Sequence, residues 1–274
     1  VIYDRNKNDI GNCNCNDKKL VGIILGYYNQ GFDVLSKHLD LWLGYDKEIL
    51  DSFRFIIIDD CSVDDKKLLG KDFSDYIGKL DIHLYRVLDD LYCNISGGRN
   101  LGVLVCNCEW MLILDMDCLV GLDMARAVYN ICSGKVGVGN KGYGVEGEGI
   151  EGIKGVSGMC YKFNRRTKDT KHIKNGKIHP AVCLLKVADY FKVGGCEEDL
   201  VGSYGYTDPC FWFRARGILR IIELSEVYID YIDEGEADIN RNNLRNRVIY
   251  NSIVLGKRGW SNKYIRFRWV KEKI

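Results

Sequence analysis

The first half of the chain alternates short apolar runs with segments whose apolar side chains recur at helical spacing. The apolar runs occupy residues 20–28, 53–58, 82–88 and 110–114. Helices are predicted after the first, third and fourth of these runs, at residues 32–43, 96–106 and 124–132. Continuous apolar strands that alternate with helices are typical of a mostly parallel sheet covered by helices on both faces. The pattern therefore predicts the α/β fold class.

The second half of the chain carries weaker signals. Glycine recurs through residues 134–158 without an apolar period, so we expect a mobile connection, or a lid that a ligand orders. Asn175-Gly176 predicts the turn of a hairpin. A polar-faced helix is predicted at residues 240–255, followed by a basic, aromatic tail. We expect this tail to pack on the body of the protein, although its charge could also contact an anionic ligand.

Polar side chains follow three of the predicted strands where each strand ends. They are Asn29, Asp59, Asp60, Asp115 and Asp117. Ligands of parallel sheets collect at the carboxyl ends of the strands, so we expect these side chains along one edge. In an extended chain Asp115 and Asp117 would point to the same side. A hard cation commonly holds two such carboxylates, but Asp is also common in ordinary turns, and both interpretations stay open.

Composition narrows the class of protein. The 274 residues are 46% hydrophobic and 28% charged, as in a globular domain, and the net charge of +1 does not suggest a surface that coats nucleic acid. Several of the 12 cysteines lie within apolar runs, and the two Cys-x-Cys pairs lack the spacing of a zinc site. We therefore expect reduced thiols in a cytoplasmic protein. No apolar run approaches the length of a transmembrane segment.

Several short motifs occur in a fixed order over roughly residues 20–220. They are Val21-Gly22-Ile23-Ile24-Leu25 with Tyr27-Tyr28-Asn29, then Ile56-Ile57-Ile58-Asp59-Asp60-Cys61-Ser62, Gly98-Arg99-Asn100-Leu101-Gly102, Leu114-Asp115-Met116-Asp117, Val193-Gly194-Gly195, and Gly205-Tyr206-Thr207-Asp208 with Arg214. Together they resemble the motifs of GT-A nucleotide-sugar glycosyltransferases of the family 2 type. Three residues depart from that pattern: Cys61 replaces a usual glycine, Cys196 a frequent aromatic residue, and Thr207 a usual acidic residue.

The resemblance implies the GT-A fold, with a Rossmann-like central sheet, a smaller acceptor-side region and a C-terminal helix. It implies one domain in four parts. These are an N-terminal arm (1–19), a nucleotide-sugar-binding half (20–133), an acceptor-binding and catalytic half (134–239), and a C-terminal helix and tail (240–274).

The resemblance also implies a donor site that carries a DXD motif. Asp117 is the implied main ligand of Mn²⁺ or Mg²⁺, while Asp115 would share the metal or hold the ribose. Asp60 would hydrogen-bond the base, and Tyr27 and Asn29 would line the nucleoside pocket.

Two further residues have a donor-side and a structural interpretation. Arg99 would approach the donor diphosphate, or it would form a surface ion pair at a helix start. His179, beside Pro180, would complete the metal shell or contact the sugar, although a lone histidine is more often structural. Asp233 is a weaker candidate of the same kind.

Asp208 matches the general base of the family, which would take the proton of an acceptor hydroxyl. This role implies inversion at the anomeric carbon, and it is compatible with a second role as a helix N-cap. Glu197 and Glu198 are rival acids nearby, expected to bind acceptor or to be surface charges.

The function expected from the resemblance is therefore metal-dependent, inverting transfer of a sugar, with UDP as the preferred nucleotide, to a glycan or glycoconjugate hydroxyl. Two alternatives stay open: a catalytically silent nucleotide- or sugar-binding module, and a sugar nucleotidyltransferase. The second would be expected to carry a basic, Gly-rich loop after the first strand, whereas residues 27–31 lack a basic residue.

Overall fold

The computed structural model describes residues 3–4, 18–135, 158–167, 173–232, 240–261 and 263–274. Most of the N-terminal arm, most of the Gly-rich segment and Asp233 lie outside these residues, so the expectations for them remain predictions. Of the helices in the described part of the chain, none combines the length and the apolar character needed to cross a bilayer.

The described strands are β1 (Tyr3–Asp4), β2 (Lys19–Tyr27), β3 (Phe53–Asp59), β4 (Ile82–Val87), β5 (Cys108–Leu114), β6 (Cys118–Leu119), β7 (Gly158–Thr167), β8 (Ile173–Lys186), β9 (Leu219–Tyr231), β10 (Lys263–Tyr264) and β11 (Trp269–Lys271). The described α-helices are α1 (Phe32–Leu43), α2 (Lys47–Ser52), α3 (Ile95–Val105), α4 (Leu122–Cys132), α5 (Val187–Val193), α6 (Thr207–Ala215) and α7 (Leu244–Val254).

A nine-stranded mixed sheet forms the centre of the molecule, in the order β11-β4-β3-β2-β5-β8-β7-β9-β6. Strands β4, β3, β2 and β5 are mutually parallel, and they carry the apolar runs of the first half. The strands of the second half add antiparallel pairs beyond β5. The predicted α/β class and the predicted strands of the first half are confirmed.

Alternate residues of the central strands enter two separate cores. In β2, Val21, Ile23 and Leu25 pack into the core that contains residues of α1 and α4. Ile24 faces the opposite side, with residues of α3, α5 and α6. Each strand is therefore buried on both faces, which explains why its sequence is apolar without a break.

Strand order places a crevice at the carboxyl ends of β2 and β5. The chain runs outward from β2 through β3 to β4, and helix α3 then returns it to β5 on the other side of β2. Parallel sheets bind ligands at such a reversal. A Cβ on Gly102 would lie 2.3 Å from Ile24 Cγ2, so this glycine lets α3 pack closely on β2.

The second half differs from the sequence prediction at one turn. The hairpin turn predicted at Asn175-Gly176 is wrong, because β8 runs through both residues and pairs with β7 from Ile173 onward. Arg166 of β7 lies opposite Ile173, so the two strands are already paired before Asn175-Gly176 is reached. Pairing along a long neighbouring strand has outweighed the local turn preference of Asn-Gly.

Candidate active site

A cleft of about 330 Å³ opens at the carboxyl ends of the parallel strands. Six of the residues singled out in the sequence line it: Tyr27, Asp60, Arg99, Asp115, Asp117 and Asp208. They come from five separate segments of the chain, and three of these follow the parallel strands β2, β3 and β5, whose carboxyl ends meet at one edge. The volume falls in the range of small-molecule sites.

Arg99 joins the two walls of this cleft. Its guanidinium donates from Nη2 to Asp115 Oδ1 at 2.9 Å and from Nη1 to Asp208 Oδ1 at 2.7 Å. Burial alone would lower the pKa of Arg99, but the carboxylates of Asp208 and Asp115 raise it well above its usual value. Arg99 is therefore a buried, charged bridge, and the interpretation as a surface ion pair is wrong.

Asp208 lies in the first turn of α6, and Tyr206 is the N-cap of that helix. The expectation that Asp208 caps the helix is therefore wrong, since its carboxylate turns into the cleft. Oδ1 accepts from Arg99, while Oδ2 has no hydrogen-bond partner among the described residues. The side chain is 28% exposed, so a ligand in the cleft can reach this carboxylate.

Asp117 lies apart from this bridge and beside two further possible metal ligands. Asp117, Cys118 and His179 each offer a ligand atom, and these atoms lie within 4.8 Å of one another. Cys118 Sγ donates to Asp117 Oδ1 at 3.3 Å and lies 3.2 Å from His179 Nε2. Burial, together with the charge of Asp115, raises the pKa of Asp117 to about 6. A bound cation would stabilise the ionised form of this partly buried carboxylate, so Asp117 fits the metal predicted for it.

His179 fits that metal less well in this conformation. Its Nδ1 accepts from the backbone N–H groups of Ala181 at 3.2 Å and Val182 at 3.1 Å. The ring proton of neutral His179 must therefore sit on Nε2, the atom that faces Cys118 and Asp117. A cation on Nε2 would displace this proton, and Nδ1 cannot take it while it accepts both amides. His179 becomes a ligand only if the turn at residues 179–182 rearranges.

Asp60 directly follows β3 and lines the cleft. Its two carboxylate oxygens accept from Asn94 N and Asn94 Nδ2, each at 3.1 Å. Burial raises the pKa of Asp60 to about 6. The adjacent Asp59 is fully engaged elsewhere, since it accepts from Arg86 at 2.7 Å and from Ser62 N at 2.9 Å. Asp60 is thus available to a ligand, and Asp59 shapes the loop behind it.

The two residues predicted for the nucleoside pocket are placed differently. Tyr27 lines the cleft, but its ring belongs to the core and its hydroxyl contacts the carbonyl oxygens of Gln30 and Lys66. Asn29 adopts a left-handed conformation with φ of 56°. Its Oδ1 accepts from Val63 N at 2.8 Å, so Asn29 fixes the loop after β3 rather than forming part of the cleft wall.

Glu197 and Glu198 are structural residues. They are only 1% and 5% exposed. Glu198 Oε1 accepts from Asn100 at 2.8 Å and from Ile265 N at 2.7 Å, and Glu197 accepts from Ser261 N at 2.9 Å. Both expectations for these acids were wrong, because they fasten the C-terminal tail to the body.

Several residues that line the cleft received no role in the sequence interpretation. They are Tyr28, Asn94, Tyr204, Tyr206, Tyr231 and Arg241. Arg241 packs over the ring of Tyr204, with 5.7 Å from its guanidinium carbon to the ring centroid. The sequence signal on this side of the cleft is the pair Tyr204 and Tyr206 just before Asp208, and no local pattern links this pair to residues 231 and 241.

The sequence matches no protein-family model, and it matches no curated protein. The structure is similar to those of known proteins. S. aureus TarS superposes with a TM-score of 0.57 and 14% identity, covering 77% of this chain and 36% of TarS. The mannosyltransferase PcManGT from Pyrobaculum calidifontis, solved with GDP-Man and Mn²⁺, superposes with a TM-score of 0.59 and 14% identity. The match covers 89% of this chain and 66% of that enzyme. GalNAc-T7, solved with UDP, GalNAc and Mn²⁺, superposes with a TM-score of 0.53 and 11% identity, and the match covers 81% of this chain and 45% of GalNAc-T7.

These similarities confirm the predicted GT-A fold. The chain spans about a third of the length of TarS and about two thirds of PcManGT. At such low identities a shared fold does not by itself transfer an activity. The activity has to be argued from the cleft.

Proposed function

We propose that this protein transfers a sugar from a nucleoside diphosphate sugar to an acceptor hydroxyl. The observation that carries this proposal is one cleft, at the carboxyl edge of the parallel strands, whose lining includes Asp60, Asp117 and Asp208. Two structures of the same fold contain a nucleotide and Mn²⁺. UDP is the preferred nucleotide in this proposal, on the strength of the family resemblance.

The donor would lie along the carboxyl ends of β2, β3 and β5. Asp60 would accept a hydrogen bond from the base, and the neighbouring Tyr28 would pack against it. Asp117 would hold Mn²⁺ or Mg²⁺. Such an ion, when bound, neutralises the negative charge that develops on the departing diphosphate.

Asp208 would serve as the general base. Arg99 holds Oδ1, which leaves Oδ2 to accept the proton of the acceptor hydroxyl. The same Arg99 holds Asp115, so the base and the donor side of the cleft are fixed relative to each other. Attack from the Asp208 side, opposite the leaving diphosphate, would invert the anomeric carbon.

The direct test is the variant Asp208→Asn. Asparagine keeps an oxygen for Arg99 but cannot take a proton, so we expect kcat to fall by about 10²–10⁴-fold. Donor affinity, measured by calorimetry with Mn²⁺ present, should change by less than about twofold, since the donor side is untouched. Asp123→Asn is a matched control, because Asp123 also lies in the first turn of a helix and its side chain is 95% exposed.

The donor must be identified first. Thermal-shift measurements with UDP, GDP, CDP and dTDP sugars, with and without Mn²⁺, should show stabilisation by one nucleotide class. Equal loss of donor binding and turnover in Asp208→Asn would show that Asp208 is not the base. A donor that binds and is never turned over, either by water or by any acceptor, would favour a silent binding module.

A further inference from the structure

Helix α7 exposes an apolar stripe on the face that points away from the protein. Leu244, Val248 and Leu255 are 63%, 65% and 66% exposed. Their spacing of four and seven residues places them on one side of the helix. The opposite side is buried and consists of Asn246, Ile249 and Ile253. The stripe therefore forms a second, exposed apolar face along the helix.

The segment of the chain that carries this stripe contains basic and no acidic residues. Residues 240–271 contain no Asp or Glu. Their nine basic residues are Arg241, Arg245, Arg247, Lys257, Arg258, Lys263, Arg266, Arg268 and Lys271. Arg258, Arg266 and Arg268 pair with acids of the body. Among the described residues no carboxylate pairs with Arg247 or Lys257, which are exposed on and just beyond α7.

A half-exposed aromatic cluster borders the same helix. Phe213 is 44% exposed, and its ring lies 6.5 Å from that of Tyr250 and 6.3 Å from that of Trp260. Val254, 38% exposed, follows Tyr250 by one helical turn. Amphipathic aromatic rings of this kind are favoured where an apolar phase meets water.

We propose that this face of α7 docks on an anionic lipid surface. An apolar stripe flanked by unpaired cations matches the two layers of such a surface, since the stripe would enter the acyl boundary and the cations would meet the headgroups. A second copy of the chain is a poorer partner. Two-fold contact would bring the same basic face against itself, and like charges at close range repel.

Docking in this way would also orient the cleft. Arg241 lines the cleft and lies only two residues before Asn243, the N-cap of α7. The side of the cleft formed by Tyr204 and Arg241 would then open beside the headgroups, where a membrane-borne acceptor is presented. This orientation rests on the proposed transfer reaction, whereas the docking surface itself does not.

The test measures binding of the full chain to vesicles by sedimentation. We expect binding to vesicles of phosphatidylcholine mixed with phosphatidylserine, little binding to phosphatidylcholine alone, and weakening with salt. The triple variant Leu244→Gln, Val248→Gln, Leu255→Gln should bind about tenfold or more weakly. The variant Arg247→Gln, Lys257→Gln should lose about tenfold, and only on anionic vesicles.

The control replaces exposed apolar residues elsewhere, with Val63→Gln and Leu88→Gln, which are 54% and 43% exposed. These changes should leave vesicle binding unaltered. All variants should keep the wild-type thermal midpoint, because the replaced side chains are exposed.

Failure of the wild-type protein to bind anionic vesicles at low salt would overturn the proposal, as would binding that survives the triple variant. A dimer in ultracentrifugation that the triple variant abolishes would assign the face to self-association instead. Nucleotide binding is measured in a separate experiment. If no nucleotide sugar binds, that result counts against the proposed transfer reaction and not against the docking surface.

Discussion

The half-buried carboxylate of Asp60 should reduce the stability of the protein at neutral pH. Its only hydrogen-bond donors in the described residues are the two N–H groups of Asn94. No described cation forms an ion pair with it. Replacing Asp60 by Asn removes the charge and keeps the size of the side chain. We therefore expect Asp60→Asn to stabilise the folded protein while weakening its hold on a nucleotide base.

The expected size follows from the pKa of this carboxyl. Burial raises it from 3.8 to about 6 in the folded protein. At about 1.4 kcal/mol per pKa unit, the difference corresponds to about 3 kcal/mol. Between about pH 4 and pH 6 the folded state binds the proton more tightly than the unfolded state does, so the free energy of unfolding falls as pH rises. The stabilisation by Asp60→Asn should thus be absent near pH 4 and reach about 3 kcal/mol above about pH 7.

Urea unfolding of both proteins across this pH range measures the difference directly. Asp64→Asn serves as the control, because its side chain is 97% exposed and its replacement should give no pH-dependent change. Calorimetry should show in parallel that Asp60→Asn binds the preferred nucleotide more weakly. A stability difference that stays constant from about pH 5 to pH 8 would refute the reasoning, since it would mean that Asp60 is already ionised throughout that range.

Three further changes test other parts of the structure. Asp117→Asn should weaken Mn²⁺ binding by at least about tenfold. The binding is measured from the electron paramagnetic resonance signal of free Mn²⁺. Cys118→Ser should change it far less, and equal losses would assign the ion to the thiol. Arg99→Lys keeps a charge but cannot bridge two carboxylates, so kcat should fall by about tenfold or more with a smaller change in donor affinity; a change in affinity alone would contradict this. Asn246→Ala removes a fully buried amide whose Nδ2 lies 2.9 Å from Leu200 O, and unfolding by urea should show a loss of about 2–3 kcal/mol against almost none for the exposed Asn251→Ala.

The central sheet could be predicted from sequence because its signals are local. Each parallel strand is buried on both faces, so its apolar run is unbroken, and polar residues mark the point where it ends. The rule that parallel strands share a carboxyl edge then brought Asp60, Asp115 and Asp117 to one place. These three residues all line the observed cleft.

The remaining contacts of the site join segments that the sequence pattern cannot relate. Arg99 meets Asp208 across 109 positions, and Cys118 meets His179 across 61. Periodicity and turn preferences act over a few residues, so neither contact leaves a local trace. The burial of Glu198 was missed for the same reason, because its partner Ile265 N arrives from the tail, 67 positions away.

The return of the tail to the sheet sets the order in which the molecule can be completed during synthesis. β11 covers the outer side of β4, with Trp269 opposite Val87, and Leu88 N donates to Arg268 O at 2.8 Å. Every other described strand of the large sheet is translated before β11. On the ribosome β4 therefore remains an open edge, able to pair with another nascent chain, until the segment at 269–271 emerges. Chaperones should accordingly protect the edge of β4 throughout the interval between the synthesis of β4 and that of β11.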